Sequence, residues 1–188
     1  MNDNHRLSDA IQYAVECHRG GVRKGTTQAY ILHPLEVMQI LFTMGADTDL
    51  MMAGVLHDTV EDTEATPEEI ERRFGERVAA LVAGHTEDKS LTWHERKRHT
   101  IEGLAAERDH RLLVLADKIA NLRSMARDLP TFGDRLWDRF RQPKDQQAWY
   151  HLGIRDALAE LAEDPGASEA FHEFDRLCRR IFEDQTEL

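Results

Sequence analysis

The chain has 188 residues with 24 basic and 35 acidic side chains, and its formal net charge is −11. This charge argues against general binding to nucleic acid or to an anionic membrane, although a local basic pocket could still hold an anionic small molecule. The length suggests one domain over residues 1–188. Two isolated cysteines, a polar N-terminus and the lack of a long apolar run lead us to expect a cytoplasmic protein with no membrane span.

Helical periodicity dominates the sequence, and alternating segments joined by tight hairpin turns are missing. We therefore predict an all-α fold. Ser8 is the expected N-cap of the first helix, and Thr66 is the expected cap of a short helix that has Pro67 in its first turn. A stretch from 129 to 140 is expected to be a loop with one short helical turn. The predicted helices are Ser8–Arg19, Pro34–Met44, Asp49 to about Glu61, 66–74, 76–86, Thr92–Glu107, Asp109–Asp128, Pro143–Ala162 and Ala167 to about Glu183.

The third predicted helix ends in the polar sequence LHDTVEDT, directly after a nearly apolar run. On a helical wheel with His57 at 0°, Glu61 falls at about 40°, Asp58 at about 100° and Asp62 at about 140°. All four polar side chains therefore share one side of the helix. An acidic, solvated helix end is the simplest interpretation of one acidic pair, but charges are rarely placed beside a core without a partner or a metal.

A second predicted helix shows the same division between a polar and an apolar face. Asp117, Lys118, Asn121 and Ser124 share one side. The opposite side is formed by Leu112, Leu115, Ile119 and Leu122. For Asp117 alone, a surface ion pair is an equally good interpretation. His33 directly precedes the proline that opens the second helix, and by itself such a histidine is more often a capping or core residue than a ligand.

Considered together, these positions predict a metal site. The predicted ligands are His33, His57, Asp58 and Asp117. Nitrogen and carboxylate oxygen suit Mn²⁺, Fe²⁺ or Zn²⁺ better than Ca²⁺, and four protein ligands leave coordination positions for water and a phosphate oxygen. Glu61 and Asp62 lie one helical turn away, where they could orient or deprotonate a water molecule or protonate a leaving oxygen.

A second histidine pair, in the sequence HERKRH, resembles a zinc-protease helix but has the wrong spacing. His94 and His99 lie about 140° apart on a helix and do not share a face. A solvated basic helix is therefore expected here, although Arg96, Lys97 and Arg98 could still reach a phosphate.

The motifs in order resemble the HD-domain phosphohydrolases, and most closely the hydrolase domain of RelA/SpoT homologues and the stand-alone small alarmone hydrolases. The segments that carry this resemblance are RKGTTQAYILHP, HDTVEDT, TEDKSLTWHERKRH and LADKIANLR, all within residues 8–127. The resemblance implies a bundle of roughly eight to ten helices, with residues 143–188 as C-terminal helices packed on it. It implies hydrolysis of the 3′-diphosphate of ppGpp or pppGpp, alarmones of the stringent response, to give GDP or GTP and pyrophosphate.

The resemblance also implies residue roles. The metal, usually Mn²⁺, would be held by the four predicted ligands, and Glu61 and Asp62 would act on the catalytic water. Further residues are predicted to contact the nucleotide or its phosphates. They are Arg23, Lys24, Lys118, Asn121 and Tyr150.

Two departures from the family pattern leave alternatives open. The sequence TQAYI lacks the proline that the family has in this loop, and the C-terminal third matches the better-known hydrolases poorly. Core packing is at least as good an interpretation of Trp149 and Tyr150 as contact with a base. One alternative is a phosphohydrolase of another nucleotide, such as ppApp, NADPH or a nucleoside monophosphate. The other is a non-catalytic nucleotide sensor, which has no need of the acids Glu61 and Asp62.

Overall fold

The computed structural model describes residues 3–105 and 107–183, and over these residues the prediction of an all-α fold is confirmed. The only β pairing among them is an isolated antiparallel bridge between Val22 and Ala29, in the loop that leads to His33. The α-helices are α1 (Asp3–Cys17), α2 (Leu32–Thr43), α3 (Thr48–Leu56), α4 (Thr59–Asp62), α5 (Pro67–Phe74), α6 (Glu76–His85), α7 (Trp93–Gly103), α8 (Arg108–Phe132), α9 (Lys144–Ala157) and α10 (Ser168–Cys178). Two 3₁₀ segments, Gly133–Arg139 and Ala159–Glu163, and a π-helical turn, Arg179–Glu183, complete the described structure.

Side-chain caps fix the starts of several helices. The Thr66 hydroxyl accepts a hydrogen bond from the Glu69 backbone N–H, as predicted. Thr92 and Glu95 form a reciprocal capping box at the start of α7. At the start of α3, the Asp47 carboxylate accepts from the Leu50 N–H at 3.0 Å. These caps satisfy backbone donors that a helix leaves unpaired at its first turn.

Two predicted helix boundaries in the N-terminal half of the chain were wrong. Ser8 is not an N-cap, because it lies inside α1 and its hydroxyl donates to the Asn4 carbonyl at 2.8 Å. The predicted helix from Asp49 to Glu61 is divided, since α3 ends at Leu56 and α4 begins at Thr59. His57 and Asp58 form the turn between α3 and α4. The angles calculated for one continuous helix are therefore only approximate for these residues.

The C-terminal half also differs from the prediction. Helix α8 continues past Pro130 to Phe132, where the sequence suggested a loop. A proline this close to a helix end removes only one backbone hydrogen bond, and the helix ends where Gly133 adopts a φ of 52°. The last two helices are shorter than predicted, because α9 and α10 give way to the tighter 3₁₀ and the wider π-helical turns.

Helix α8 is the centre of the core. Every residue from Leu112 to Ala120 is buried, and α8 packs against α2, α3, α6 and α10. Its predicted apolar face, which includes Leu115 and Ile119, is fully buried. Helices α2 and α3 are packed so closely that a Cβ on Gly54 would lie 2.4 Å from Leu41 Cδ1. Among the described helices, none has both the length and the hydropathy needed to cross a membrane.

Candidate metal centre and active site

The fold brings the four predicted ligands to one point. His33 lies in the first turn of α2, His57 and Asp58 form the turn after α3, and Asp117 lies in the middle of α8. The Nε2 atom of His33 is 3.1 Å from Asp117 Oδ1 and 3.6 Å from Asp58 Oδ2. The Nε2 atom of His57 is 3.1 Å from Asp58 Oδ2 and 3.8 Å from Asp117 Oδ1. Two imidazole nitrogens and two carboxylates therefore converge, as expected from the sequence.

The tautomer of His57 suits metal binding. His57 Nδ1 lies 2.8 Å from the Gly54 carbonyl, so this nitrogen carries a proton and donates it. The lone pair of Nε2 then faces the cluster, which is how metal-ligating histidines are commonly oriented. This Nε2 atom is buried and has no hydrogen-bond partner in residues 3–105 and 107–183. The donor set and its orphaned nitrogen fit a divalent cation.

The charges of the cluster also favour a cation. Burial by itself lowers the pKa of His57, but the adjacent Asp58 carboxylate raises it to about 9. Burial by itself raises the pKa of Asp58, but the His57 and His33 rings hold it well below its usual range. The carboxylates thus attract positive charge to His57 Nε2, and a metal ion can supply that charge in place of the proton.

Asp117 is held by a network on α8. Asn121 Nδ2 donates to Asp117 Oδ1 at 2.7 Å, and Lys118 Nζ donates to Oδ2 at 2.6 Å. Arg23 Nη2 in turn donates to Asn121 Oδ1 at 2.8 Å. Burial opposes ionisation of Asp117, but the Lys118 ammonium lowers its pKa well below the usual value. The carboxylate is therefore ionised and oriented.

The two acids predicted to act on water line the same cleft, but they differ in environment. Glu61 is three-quarters buried, and its Oε2 atom accepts from the Glu87 backbone N–H at 3.4 Å. Burial, and then the Glu87 carboxylate, raise the pKa of Glu61. Asp62 is more exposed, and its Oδ2 atom lies 3.0 Å from the Tyr30 hydroxyl oxygen.

The predicted substrate residues surround the cluster with basic groups. The cleft beside the predicted metal ligands is also lined by Arg23, Lys118, Asn121 and Tyr150. Lys24 lies farther out, in cavities that adjoin this cleft at Asn121. These placements are consistent with the predicted contacts, whose roles remain predictions.

Trp149 and Tyr150 are neighbours on α9, but only Tyr150 lines the cleft. The Tyr150 ring is buried, lines the cleft and lies 5.2 Å from Lys118 Nζ. Trp149 does not line the cleft; its ring packs against His94 at 4.2 Å between centroids and against Trp93 at 6.1 Å. The sequence could not separate these neighbours, because both lie on a half-buried helix.

Several residues of the cleft were not assigned from the sequence. The Tyr30 hydroxyl donates to Asp58 Oδ2 at 2.6 Å, and burial together with that carboxylate raises the pKa of Tyr30, so it stays a donor. Lys97 Nζ lies 2.5 Å from Glu87 Oε1 and 4.7 Å from the centre of the Tyr150 ring. Of the three basic residues in HERKRH, only Lys97 lines the cleft. His85, at the end of α6, lies 3.5 Å from Asp117.

A sequence profile of the HD domain matches residues 10–139, which include all four clustered ligand candidates and both acids. The chain therefore belongs to the HD-domain family, and the family resemblance predicted from the motifs is confirmed.

Named relatives narrow this class. The chain is 42% identical over 130 residues to guanosine-3′,5′-bis(diphosphate) 3′-pyrophosphohydrolase MESH1 of Danio rerio, covering 66% of this chain and 71% of that protein. It is 39% identical over 123 residues to the guanosine-3′,5′-bis(diphosphate) 3′-pyrophosphohydrolase of Aquifex aeolicus, covering 63% of this chain but only 18% of that longer protein.

Two solved structures are similar to this chain in both fold and sequence. The structure reported as a metazoan ortholog of SpoT that hydrolyzes ppGpp is similar with a TM-score of 0.78 and 32% identity, over 93% of this chain and 94% of that chain. The crystal structure of lmo0812 from Listeria monocytogenes EGD-e has a TM-score of 0.72 and 42% identity, over 80% of this chain and 98% of that chain. The similarity to the metazoan protein therefore extends over nearly the whole length of both chains.

Proposed function

We propose that this chain is a metal-dependent hydrolase that removes pyrophosphate from the ribose 3′ position of ppGpp and pppGpp. The observation that carries the proposal is the convergence of His33, His57, Asp58 and Asp117 beside two further acids in a cleft with a basic rim. The relatives that share this family at about 40% identity are named as hydrolases of this substrate. Mn²⁺ is the proposed metal because the family resemblance implies it. The mixed imidazole and carboxylate set also admits Fe²⁺ or Zn²⁺ but disfavours Ca²⁺.

A divalent ion bound by these ligands neutralises phosphate charge and lowers the pKa of water. The protein supplies the remaining functions. Glu61 is the proposed acceptor of the water proton, because its raised pKa makes it a stronger base than an exposed glutamate. Asp62, which lies 3.0 Å from the Tyr30 hydroxyl oxygen, is proposed to orient that water. The Tyr30 hydroxyl donates its one proton to Asp58 at 2.6 Å, which fixes the orientation of that carboxylate.

Local positive charge explains how a chain of net charge −11 can hold a polyanion. Lys118 and Lys97 both lie over the Tyr150 ring, and Arg23, which also lines the cleft, donates to Asn121. We propose that these cations hold the diphosphate groups, with charge-assisted hydrogen bonds to phosphate oxygens. Tyr150 is proposed to contact the nucleoside, and Lys24 to contact its outer phosphates.

The test uses protein loaded with Mn²⁺ and incubated separately with ppGpp, pppGpp, ppApp and NADPH. The expected result is GDP or GTP together with pyrophosphate from the two guanosine substrates, identified by chromatography. The Asp58→Ala variant should lose both metal and activity, whereas Ser124→Ala, on the same face of α8 as Asp117, should keep both.

Other results would replace the proposal. Release of phosphate from NADPH without cleavage of ppGpp would identify a phosphohydrolase of another nucleotide. Tight binding of uncleaved ppGpp by metal-loaded protein would identify a nucleotide sensor.

A further inference from the structure

His85 is a largely buried histidine beside the predicted metal ligands. It belongs to none of the motifs that predicted the site. It is the last residue of α6, its side chain is only 9% exposed, and it lines the active-site cleft. Its ring lies edge-on to His57, with 5.0 Å between centroids. Its Nε2 atom lies 3.5 Å from Asp117 Oδ2.

The surroundings of His85 are compatible with a ligand role. Ligand atoms of His85, His57 and Asp117 lie within 4.8 Å of one another. Two atoms that bind one ion through bonds of about 2.1 Å are separated by roughly 3 Å when adjacent and roughly 4 Å when opposite. Its Nδ1 atom is buried without a hydrogen-bond partner in the described part of the chain, and its Nε2 atom faces the Asp117 carboxylate, which is itself a predicted ligand.

The position of Lys118 argues against a second ion on this side of Asp117. Its ammonium group lies 2.6 Å from Asp117 Oδ2, where a second cation would have to bind. His57 and Asp117 also belong to the four-residue cluster, so an ion bound by His85 with these two residues would be the ion that this cluster binds.

We propose that His85 is a fifth protein ligand of the same ion, which makes the centre one of three histidines and two aspartates. The inference rests on the proposed metal site but not on the identity of the substrate. On a six-coordinate ion, five protein ligands leave one position for water or a phosphate oxygen.

The test counts histidine nitrogens on bound Mn²⁺ by pulsed electron paramagnetic resonance, in the absence of nucleotide. Wild-type protein should show three coupled nitrogens, and both His85→Leu and His85→Gln should show two. Mn²⁺ affinity should fall at least about 10-fold, a loss that an outer hydrogen-bonding partner could also cause, so the nitrogen count is decisive. His110→Ala is the matched control, because His110 packs against His85 with 6.5 Å between rings and should leave three nitrogens.

Two nitrogens in both wild-type and variant protein would overturn the proposal while leaving the four-ligand site intact. Failure of wild-type protein to bind Mn²⁺, Fe²⁺ or Zn²⁺ would overturn both this proposal and the proposed function. If His85→Leu does not fold, as judged by circular dichroism, His85→Gln provides the count, since a glutamine can bind only through oxygen without an imidazole signal.

Discussion

Replacement of Glu61 by glutamine tests the central chemical assignment. Glutamine keeps the size of the side chain and can still accept the Glu87 backbone N–H, but it cannot take a proton from water. Loss of a general base costs about 10²- to 10⁴-fold, so kcat should fall by that factor, equivalent to about 3–5 kcal/mol. Metal affinity should stay within about twofold of wild type, because Glu61 is not among the predicted ligands.

Stability should change in the opposite direction from activity. Burial and Glu87 raise the pKa of Glu61, which means that the ionised carboxylate destabilises the folded protein above that pKa. Glu61→Gln should therefore unfold at the same or a higher denaturant concentration than wild type at pH 7. Such an activity loss without a stability loss is typical of a functional residue.

The pH dependence gives an independent measurement. The acidic limb of kcat/KM should follow protonation of Glu61, so removal of the neighbouring negative charge in Glu87→Gln should move this limb to lower pH. Glu64→Gln, at an exposed position two residues beyond Asp62, is the matched control and should leave the profile unchanged. The reasoning is refuted if Glu61→Gln keeps more than a tenth of wild-type kcat, or if the acidic limb does not move in Glu87→Gln.

Three further changes test packing, titration and ligand orientation. Gly54→Ala should lower the free energy of unfolding by about 1–2 kcal/mol, because overpacking against the buried Leu41 outweighs the helix propensity gained. Gly84→Ala should raise the free energy of unfolding by about 0.5–1 kcal/mol, because a Cβ there would make only an ordinary contact with His110. Burial lowers the pKa of His151 to about 4, so the free energy of unfolding should fall by about 3 kcal/mol as the pH drops from above 6.5 towards 4, measured with a chelator present. His151→Phe should flatten this slope, and the exposed His172→Phe should not. Tyr30→Phe should weaken Mn²⁺ binding about 10-fold without changing the circular dichroism spectrum.

Each of these expectations has a clear contrary result. Equal stabilities of the two glycine variants would show that the contact between α2 and α3 relaxes freely. An unchanged pH slope in His151→Phe would assign the acid sensitivity to other groups. If Tyr30→Phe binds Mn²⁺ as tightly as wild type does, the Tyr30 hydroxyl is not needed to orient Asp58 for metal binding.

The convergence of the site could be predicted because its residues carry local signals. Asp117 interrupts an apolar run, and His57 and Asp58 follow one, so each is a polar group placed where a core is expected. Positions on a helical wheel then separated the apolar face of α8 from its polar face correctly. Three helices that each direct such a group inward leave few arrangements other than a shared site.

The remaining details depend on tertiary contacts that leave no local pattern. His85 stands in an ordinary amphipathic helix, and only the packing of α6 on α3 and α8 brings it to Asp117. The role of Tyr30 depends on a loop that closes over Asp58. The sequence predicted that the long helix ends at Asp128, but it continues to Phe132, where Gly133 with a φ of 52° ends it.

The pairing of Asp117 with Lys118 and Asn121 has a consequence for how the ion is acquired. Protein donors already occupy both carboxylate oxygens, so the buried charge is compensated by the polypeptide alone. We therefore expect the chain to fold without the ion, in contrast to small zinc domains that are unfolded without it. The ion can leave and return at a preassembled site, and at a free concentration 100 times its Kd it adds about 2.7 kcal/mol of stability. The fraction of molecules that are catalytically competent then follows the supply of free metal around the protein.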